Sequence, residues 1–415
     1  MNAVRRGRVV ATHGELLEAR IPLARLGETV IVRPAGARAV SATVVRVCES
    51  GATLAAHGAL QGVAAGDTVE TDRGAAQLSL GAGALGRAFD GTGMPLDGRG
   101  PLRGSAVPVV DAPLNAGTRA PVAVPLWTGI RAIDAFLTIG RGARLGIFGP
   151  PSAGKSTLLK NLVAGASVDA VVVGLVGERG REAAEWLAHV DHRVTIVCSP
   201  ADRAAAERVR AAHVAVAQGA ALRRRGFNVL VILDSLARFA AALREIALAA
   251  GEPVGRGGFP PSVFAELARL VERAGNADGG ELTLIATVLS DGGDEREPLG
   301  EAAKAILDGH IVLSPELARA GRYPAIDVPA SVSRTMTQVA GAAHLAAAAK
   351  VRDAIALLAR TREARELDLA IADPAIARAA ALELRITDFL RQGPGCSEPQ
   401  RTLTELEALA HALGG

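Results

Sequence analysis

Three short stretches of this chain carry residue types whose spacing can do chemistry on a phosphate. The first, Gly149-Pro150-Pro151-Ser152-Ala153-Gly154-Lys155-Ser156, has the pattern G-x-x-x-x-G-K-S. In that pattern the backbone N–H groups of the loop, and of the helix it opens, cradle phosphate oxygens. Lys155 reaches the β- and γ-phosphates, and the Ser156 hydroxyl binds magnesium. Together with Thr157 these residues form the candidate ATP-binding loop. The second stretch, Val229-Leu-Val-Ile-Leu-Asp234, is an apolar run that ends in a carboxylate, the residue type that holds a nucleotide-bound magnesium ion. Read alone, Asp234 serves equally as the N-cap of a following helix. The third, Gly177-Glu178-Arg179-Gly180-Arg181-Glu182, offers Glu178 as general base for the water that attacks the γ-phosphorus. Arg179 would balance developing charge there, and Glu182 would assist magnesium through a water. The same six residues also fit a surface ion-pair network at a helix start.

Each of these groups needs a strand that ends just before it. Arg144-Leu-Gly-Ile-Phe148 precedes the glycine-rich loop, Val171-Val-Val-Gly-Leu-Val176 precedes Glu178, and Val229–Leu233 precedes Asp234; Arg193-Val-Thr-Ile-Val197 is a fourth run of the same kind. Near-continuous, β-branched apolar runs separated by helical patterns predict a mostly parallel sheet covered on both faces, with ligands at the C-terminal edge of its strands. A helix beginning near Lys155 completes the loop.

Outside this core the pattern changes twice. From about 1 to 77, short alternating runs such as Glu28-Thr-Val-Ile-Val-Arg33 and Ala42-Thr-Val-Val-Arg-Val47 predict a small antiparallel β-barrel. From about 78 to 104 the chain is glycine-rich, as in Gly91-Thr-Gly-Met-Pro-Leu-Asp-Gly98, and reads as a connector; the nucleotide-binding domain is taken as 78–338. From 339 to 415, alanine, leucine and paired charges predict a helical domain, interrupted at Asp373-Pro374 and Gly393-Pro-Gly395.

The composition is that of a globular protein, with 49% hydrophobic and 21% charged residues in 415. A mean hydropathy of +0.25 comes largely from alanine, and no run approaches the roughly 18 apolar residues of a spanning helix. The basic start, Met1 to Arg8, is not followed by the apolar stretch of a secretory signal, so a cytoplasmic location is expected. Cys48, Cys198 and Cys396 have neither metal-ligand nor disulfide spacing. Of 46 basic residues only Lys155, Lys160, Lys304 and Lys350 are lysines, a general arginine bias. The triplet Arg223-Arg224-Arg225 is expected to be a solvated helix end, though it could attract nucleic acid or acidic lipid.

A longer string of motifs carries a family resemblance. Gly177–Glu182, Asp234-Ser-Leu-Ala-Arg-Phe239, Leu243-Arg-Glu-Ile-Ala-Leu248, Gly251-Glu-Pro253, Phe259-Pro-Pro-Ser-Val-Phe264, Val271-Glu-Arg-Ala274, Ile306-Leu-Asp-Gly-His-Ile311, Tyr323-Pro-Ala-Ile-Asp327 and Ser331-Val-Ser-Arg334 resemble, in order, the signature of the type III secretion and flagellar export ATPases, relatives of the rotary ATP synthase catalytic subunit. The resemblance implies an α/β P-loop (RecA-like) ATPase core with an N-terminal β-barrel and a C-terminal helical domain, using ATP and Mg2+ in a cytoplasmic homohexamer. It implies that Glu178 is the catalytic glutamate, that Arg334 is an arginine finger supplied to the neighbouring subunit's site, and that Tyr323 packs against adenine. Arg238 matches a position facing the phosphates, where a helix-surface salt bridge is equally in keeping with the residue. The implied function is ATP hydrolysis energising protein export, with release or unfolding of chaperone-bound cargo. The implied partners are further copies of the chain, stalk and regulator proteins of the secretion apparatus and chaperone–effector complexes, at the periphery of the inner membrane.

The chain departs from the family's pattern in that the expected barrel begins almost at Met1, where relatives usually carry a further segment, and in reading Glu366-Leu-Asp-Leu-Ala-Ile-Ala-Asp-Pro374 where relatives carry Gly-Xaa-Tyr and Gly-Ser-Asp-Pro. These departures leave regulator, membrane and cargo docking open. The flagellar version of the machine is the nearest rival, with Pro150-Pro151 and Trp186 leaning slightly against it. A rotary ATP synthase catalytic subunit and a non-hydrolysing ATP-binding scaffold stand further off. An RNA-translocating ring would need stacking platforms that the aromatic-poor N-terminal region does not offer, so no nucleic-acid partner is expected.

Overall fold

The computed structural model describes residues 4–71, 76–150, 152–289, 298–367, 373–393 and 395–414. The chain forms two compact units that interleave along the sequence. One comprises Met1–Arg119, Asp169–Thr287 and Glu297–Ala302, the other Ala120–Val168, Val288–Arg296 and Ala303–Gly415.

The first unit begins with six strands, β1 (Arg6–His13), β2 (Leu16–Arg20), β3 (Thr29–Arg33), β4 (Val40–Cys48), β5 (Gly51–Ala56) and β6 (Thr68–Thr71), closed into a barrel in the order β1-β2-β5-β4-β3-β6. Alternate residues point inward, so Leu17, Val30, Val32, Leu54 and Val69 are fully buried, and closure leaves no open strand edge. His57 is buried between two barrel hydroxyls, with Nδ1 3.0 Å from Ser41 Oγ and Nε2 2.9 Å from Thr43 Oγ1. Burial, with a smaller push from Arg210, lowers its pKa to about 3, so His57 is neutral.

Beyond the barrel the same unit holds parallel strands Glu281–Leu289 (as far as Thr287), Asn228–Asp234, Ala170–Val176, Val194–Ser199 and Ala88–Phe89, in that spatial order. The last is a two-residue strand inside the glycine-rich stretch, where the sequence suggested only a connector. The helix Ala205–Arg223 lies on this sheet at two glycines. A Cβ at Gly174 would stand 2.8 Å from Ala215 Cβ, and one at Gly219 would stand 2.5 Å from Val231 Cγ2. The end of that helix corrects the arginine triplet. Arg224 and Arg225 are exposed, but Arg223 is only 2% exposed and donates to Arg273 O at 3.2 Å and to Asp278 Oδ2 at 3.4 Å. The chain turns directly after the helix, Gly226 N donating to Arg223 O at 2.8 Å.

In the second unit, Arg144–Gly149 runs parallel to Gly309–Leu313, which pairs antiparallel with Ile326–Ser333. Helices Ala342–Arg360 and Pro399–Ala412 bury Val351, Ala354 and Leu358 together with Leu406 and Leu409, and Phe136 meets Phe389 edge-on at 6.0 Å. Asp373 caps Pro374–Ala381, its carboxylate accepting from Ala375 N at 2.8 Å, so the proline break also starts a helix. No described helix is long and apolar enough to cross a membrane.

Candidate active site

The phosphate-loop sequence folds as its glycines require. After Arg144–Gly149 the chain turns, and the helix Lys155–Gly165 begins with Gly154 as N-cap at φ 83°, a conformation suited to glycine. No described side chain caps this helix. Its first-turn N–H groups, aligned with the positive end of the helix dipole, suit an anion. A Cβ on Gly149 would meet Leu313 Cβ at 2.8 Å, and one on Gly154 would meet Tyr323 Cε1 at 3.1 Å. Both glycines of the motif are thus fixed by close approach as well as by spacing. Lys155 is 8% exposed, Ala153 is buried, and Ser152, Ser156 and Thr157 face solvent. Pro150 O accepts from Ala153 N at 3.3 Å, and Pro151 lies outside the described residues. A backbone cradle with a lysine and two hydroxyls at a helix start matches the chemistry of a nucleotide triphosphate.

Tyr323 stands beside this loop in the same unit with 44% of its surface exposed. Arg334 follows the strand Ile326–Ser333; its N–H donates to Asp308 O at 2.9 Å. Its side chain is exposed and has no hydrogen-bond or ion-pair partner among the described residues.

In the other unit, strand register aligns the carboxylates at one edge of the sheet. Leu175 lies opposite Asp234, and Leu233 lies opposite Ala286. Glu178 follows its strand through Gly177, whose N–H donates to Ser199 O at 2.7 Å, while Glu178 O accepts from Ala201 N at 3.0 Å. The Glu178 side chain is almost fully buried, and its Oε2 lies 3.1 Å from Arg238 Nη1. Arg238 also binds Gly177 O. Asp234 is 3% exposed, and its Oδ1 accepts from the Thr287 hydroxyl at 2.6 Å. Ser235 caps the helix Leu236–Ala249, its hydroxyl accepting from Arg238 N. The capping role open to Asp234 in the sequence therefore falls to its neighbour.

Arg179 and Glu182 do not join this cluster. Arg179 is 81% exposed on its side chain and lies 3.7 Å from Glu182 Oε1 across one helical turn, the surface pair that the sequence also allowed. Arg238, not Arg179, is the cation paired with Glu178. Thr287 was not singled out in the sequence, and a lone threonine in the apolar run Leu284-Ile-Ala-Thr-Val-Leu289 was the one signal available. Glu207, in the first turn of the helix Ala205–Arg223, accepts from the hydroxyl of Ser199 at the end of the neighbouring strand at 3.3 Å. Burial, reinforced by Asp90, raises its pKa to about 7.

Residues 129–333 match the ATP synthase alpha/beta family, nucleotide-binding domain, which sets the class of this site as a nucleotide-binding P-loop ATPase. The chain is 43% identical over 390 residues to the flagellum-specific ATP synthase of Pseudomonas aeruginosa, covering 91% of this chain and 85% of that protein. It is 41% identical over 400 residues to the type 3 secretion system ATPase of Pseudomonas savastanoi pv. phaseolicola, covering 93% and 89%. The structure of the assembled ATPase EscN in complex with its central stalk EscO, from the enteropathogenic E. coli type III secretion system, superimposes with a TM-score of 0.88 at 35% identity, covering 97% of this chain and all of that one. The chain belongs to the family of type III secretion and flagellar export ATPases.

Proposed function

We propose that the chain hydrolyses ATP at sites completed between neighbouring subunits of a homohexameric ring, and that this turnover energises protein export through a type III secretion apparatus. The observation that carries this is Glu178, a carboxylate with 2% of its surface exposed, set against Arg238 at the C-terminal edge of the parallel strands. A buried, oriented carboxylate at that edge suits the activation of a water. In this scheme Gly149–Thr157 hold the triphosphate, Lys155 neutralises the charge that builds on its oxygens, and Tyr323 packs on the base. Ser156 and Asp234 would hold Mg2+, with Glu182 acting through a water; a bound Mg2+ ion neutralises phosphate charge. Arg334, exposed and without a side-chain partner among the described residues, stabilises the transition state in the adjacent subunit. Arg179 stays a candidate for charge balance once nucleotide is present.

The chain is assigned a barrel segment 1–77, a nucleotide-binding segment 78–338 and a helical segment 339–415. Assembly into a ring and docking of a central stalk are supported by the likeness to EscN in complex with EscO. Binding of regulators and chaperone–cargo complexes, and a place at the cytoplasmic face of the inner membrane, complete the proposal. The flagellar export role is the second reading, favoured by the 43% identity to a flagellum-specific relative.

ATPase rate measured against protein concentration tests the scheme for wild type, Glu178→Gln, Arg334→Ala and an equal mixture of the two variants. Specific activity should rise with concentration, each variant alone should be inactive, and the mixture should regain turnover. Concentration-independent activity, or activity that survives loss of Glu178, would overturn it.

A further inference from the structure

Arg352 lies on the helix Ala342–Arg360 and is only partly exposed. Among the described residues its guanidinium forms no ion pair. It donates instead to three main-chain carbonyls: Nη1 to Val328 O at 3.1 Å and to Ser331 O at 3.0 Å, and Nη2 to Phe136 O at 2.6 Å. Burial lowers its pKa, as expected of a cation drawn out of water towards fixed dipoles. Two of the three carbonyls belong to the strand Ile326–Ser333, and Ser331 stands three residues before Arg334.

The rest of that strand end is held with equal care. The Ser331 hydroxyl donates to Asp327 O at 2.5 Å and accepts from Val312 N at 2.9 Å. The Ser333 hydroxyl donates to Thr138 O at 2.8 Å. Arg334 N donates to Asp308 O at 2.9 Å, and Arg144 holds the Asp308 carboxylate, Nε to Oδ2 at 3.0 Å. The main chain at Arg334 is therefore over-determined, while the Arg334 side chain is exposed and has no partner among the described residues. Such an arrangement suits a charge that must arrive correctly placed at a site outside its own chain, because a misplacement of about 1 Å can cost on the order of 100-fold in rate.

We infer that Arg352 is a positioning residue for Arg334: by clamping the carbonyls of Val328, Ser331 and Phe136, it fixes the main chain from which Arg334 reaches a neighbouring subunit's ATP. The inference rests on the assignment of Arg334 as the trans-acting arginine. It also ties the helix Ala342–Arg360 to turnover through the strand that precedes Arg334.

The test uses the full chain with Arg352→Ala and Arg352→Lys, each assayed alone and mixed with Glu178→Gln, and with Arg334→Ala plus Glu178→Gln as reference. Arg352→Ala alone should lose on the order of 10- to 100-fold in kcat, with KM for ATP within about twofold, because the finger acts in the transition state. Arg352→Lys, which keeps the charge and can still reach a carbonyl, should recover part of that loss and melt close to wild type. Mixed with Glu178→Gln, both variants should regain turnover as Arg334→Ala does, since each retains a sound site of its own that a neighbour's Arg334 can complete. If Arg334→Ala is rescued and the Arg352 variants are not, Arg352 serves its own subunit's site and the inference fails. It fails equally if Arg352→Lys folds with wild-type kcat while Arg352→Ala is lost to misfolding. If Arg334→Ala itself is not rescued, the trans-acting finger is wrong and the inference falls with it.

Discussion

Asp234 and Glu178 illustrate how one residue's chemistry is set by another that is remote in sequence. The Thr287 hydroxyl, 53 positions from Asp234, donates to its Oδ1 at 2.6 Å and fixes the carboxylate's rotation at the strand end. Groups that orient metal-holding carboxylates typically matter by about 10- to 100-fold. Thr287→Val, which keeps shape and removes the donor, should lower kcat by about 10-fold and raise the Mg2+ concentration needed for half-maximal rate, as a magnesium titration would read. Unchanged magnesium dependence would remove Thr287 from that orienting role. The placement of the phosphate loop before a helix, and of Glu178 and Asp234 just past or at strand ends, was legible in sequence because it is tied to local spacing. Arg238 against Glu178, Thr287 on Asp234 and Arg352 on Ser331 were not, since each depends on which strands and helices become neighbours. Arg223 shows the same limit in reverse: a charge run suggested solvent, and tertiary folding buried its first member.

Among the elements, the barrel was readable from alternation and the sheet from its β-branched runs, because side-chain periodicity reports which face is buried. The strand Ala88–Phe89 was hidden, for two residues carry no period and its pairing with Ile196 and Val197 is non-local. The barrel also has a pH signature. His57 is held neutral with a pKa of about 3, below its ordinary 6.5. Below about pH 6.5 the unfolded chain takes up a proton that the folded barrel refuses, so this site's contribution to stability is full above that pH and falls as pH drops towards 3. Glu207 and Asp134, raised by burial to about 7 and about 6, act in the opposite sense, since their folded forms bind protons more readily than the unfolded chain. The clean measurement is therefore a difference. Chemical denaturation of wild type and His57→Gln should show the gap moving in the variant's favour by roughly 1–2 kcal/mol between about pH 6.5 and 5. A gap that does not vary with pH would mean His57 protonates freely in the fold.

For the molecule as a whole, the interleaving of the two units orders events during synthesis. The barrel, Arg6 to Thr71, is made of one uninterrupted stretch and can close while little else exists. The remainder of its unit needs chain up to Ala302, and the other unit recruits Ala120–Val168 together with Ala303–Gly415. At about 5–20 residues per second, the phosphate-loop segment therefore leaves the ribosome many seconds before the chain that completes its unit. Ribosome-stalled chains ending near residue 200 should show protease protection over the barrel and little beyond it. Protection of the phosphate-loop helix at that length would contradict this order. A nascent chain thus carries its nucleotide-binding sequence for a long interval with no folded unit around it, and ATP can assist folding only once the chain beyond Ala303 has emerged.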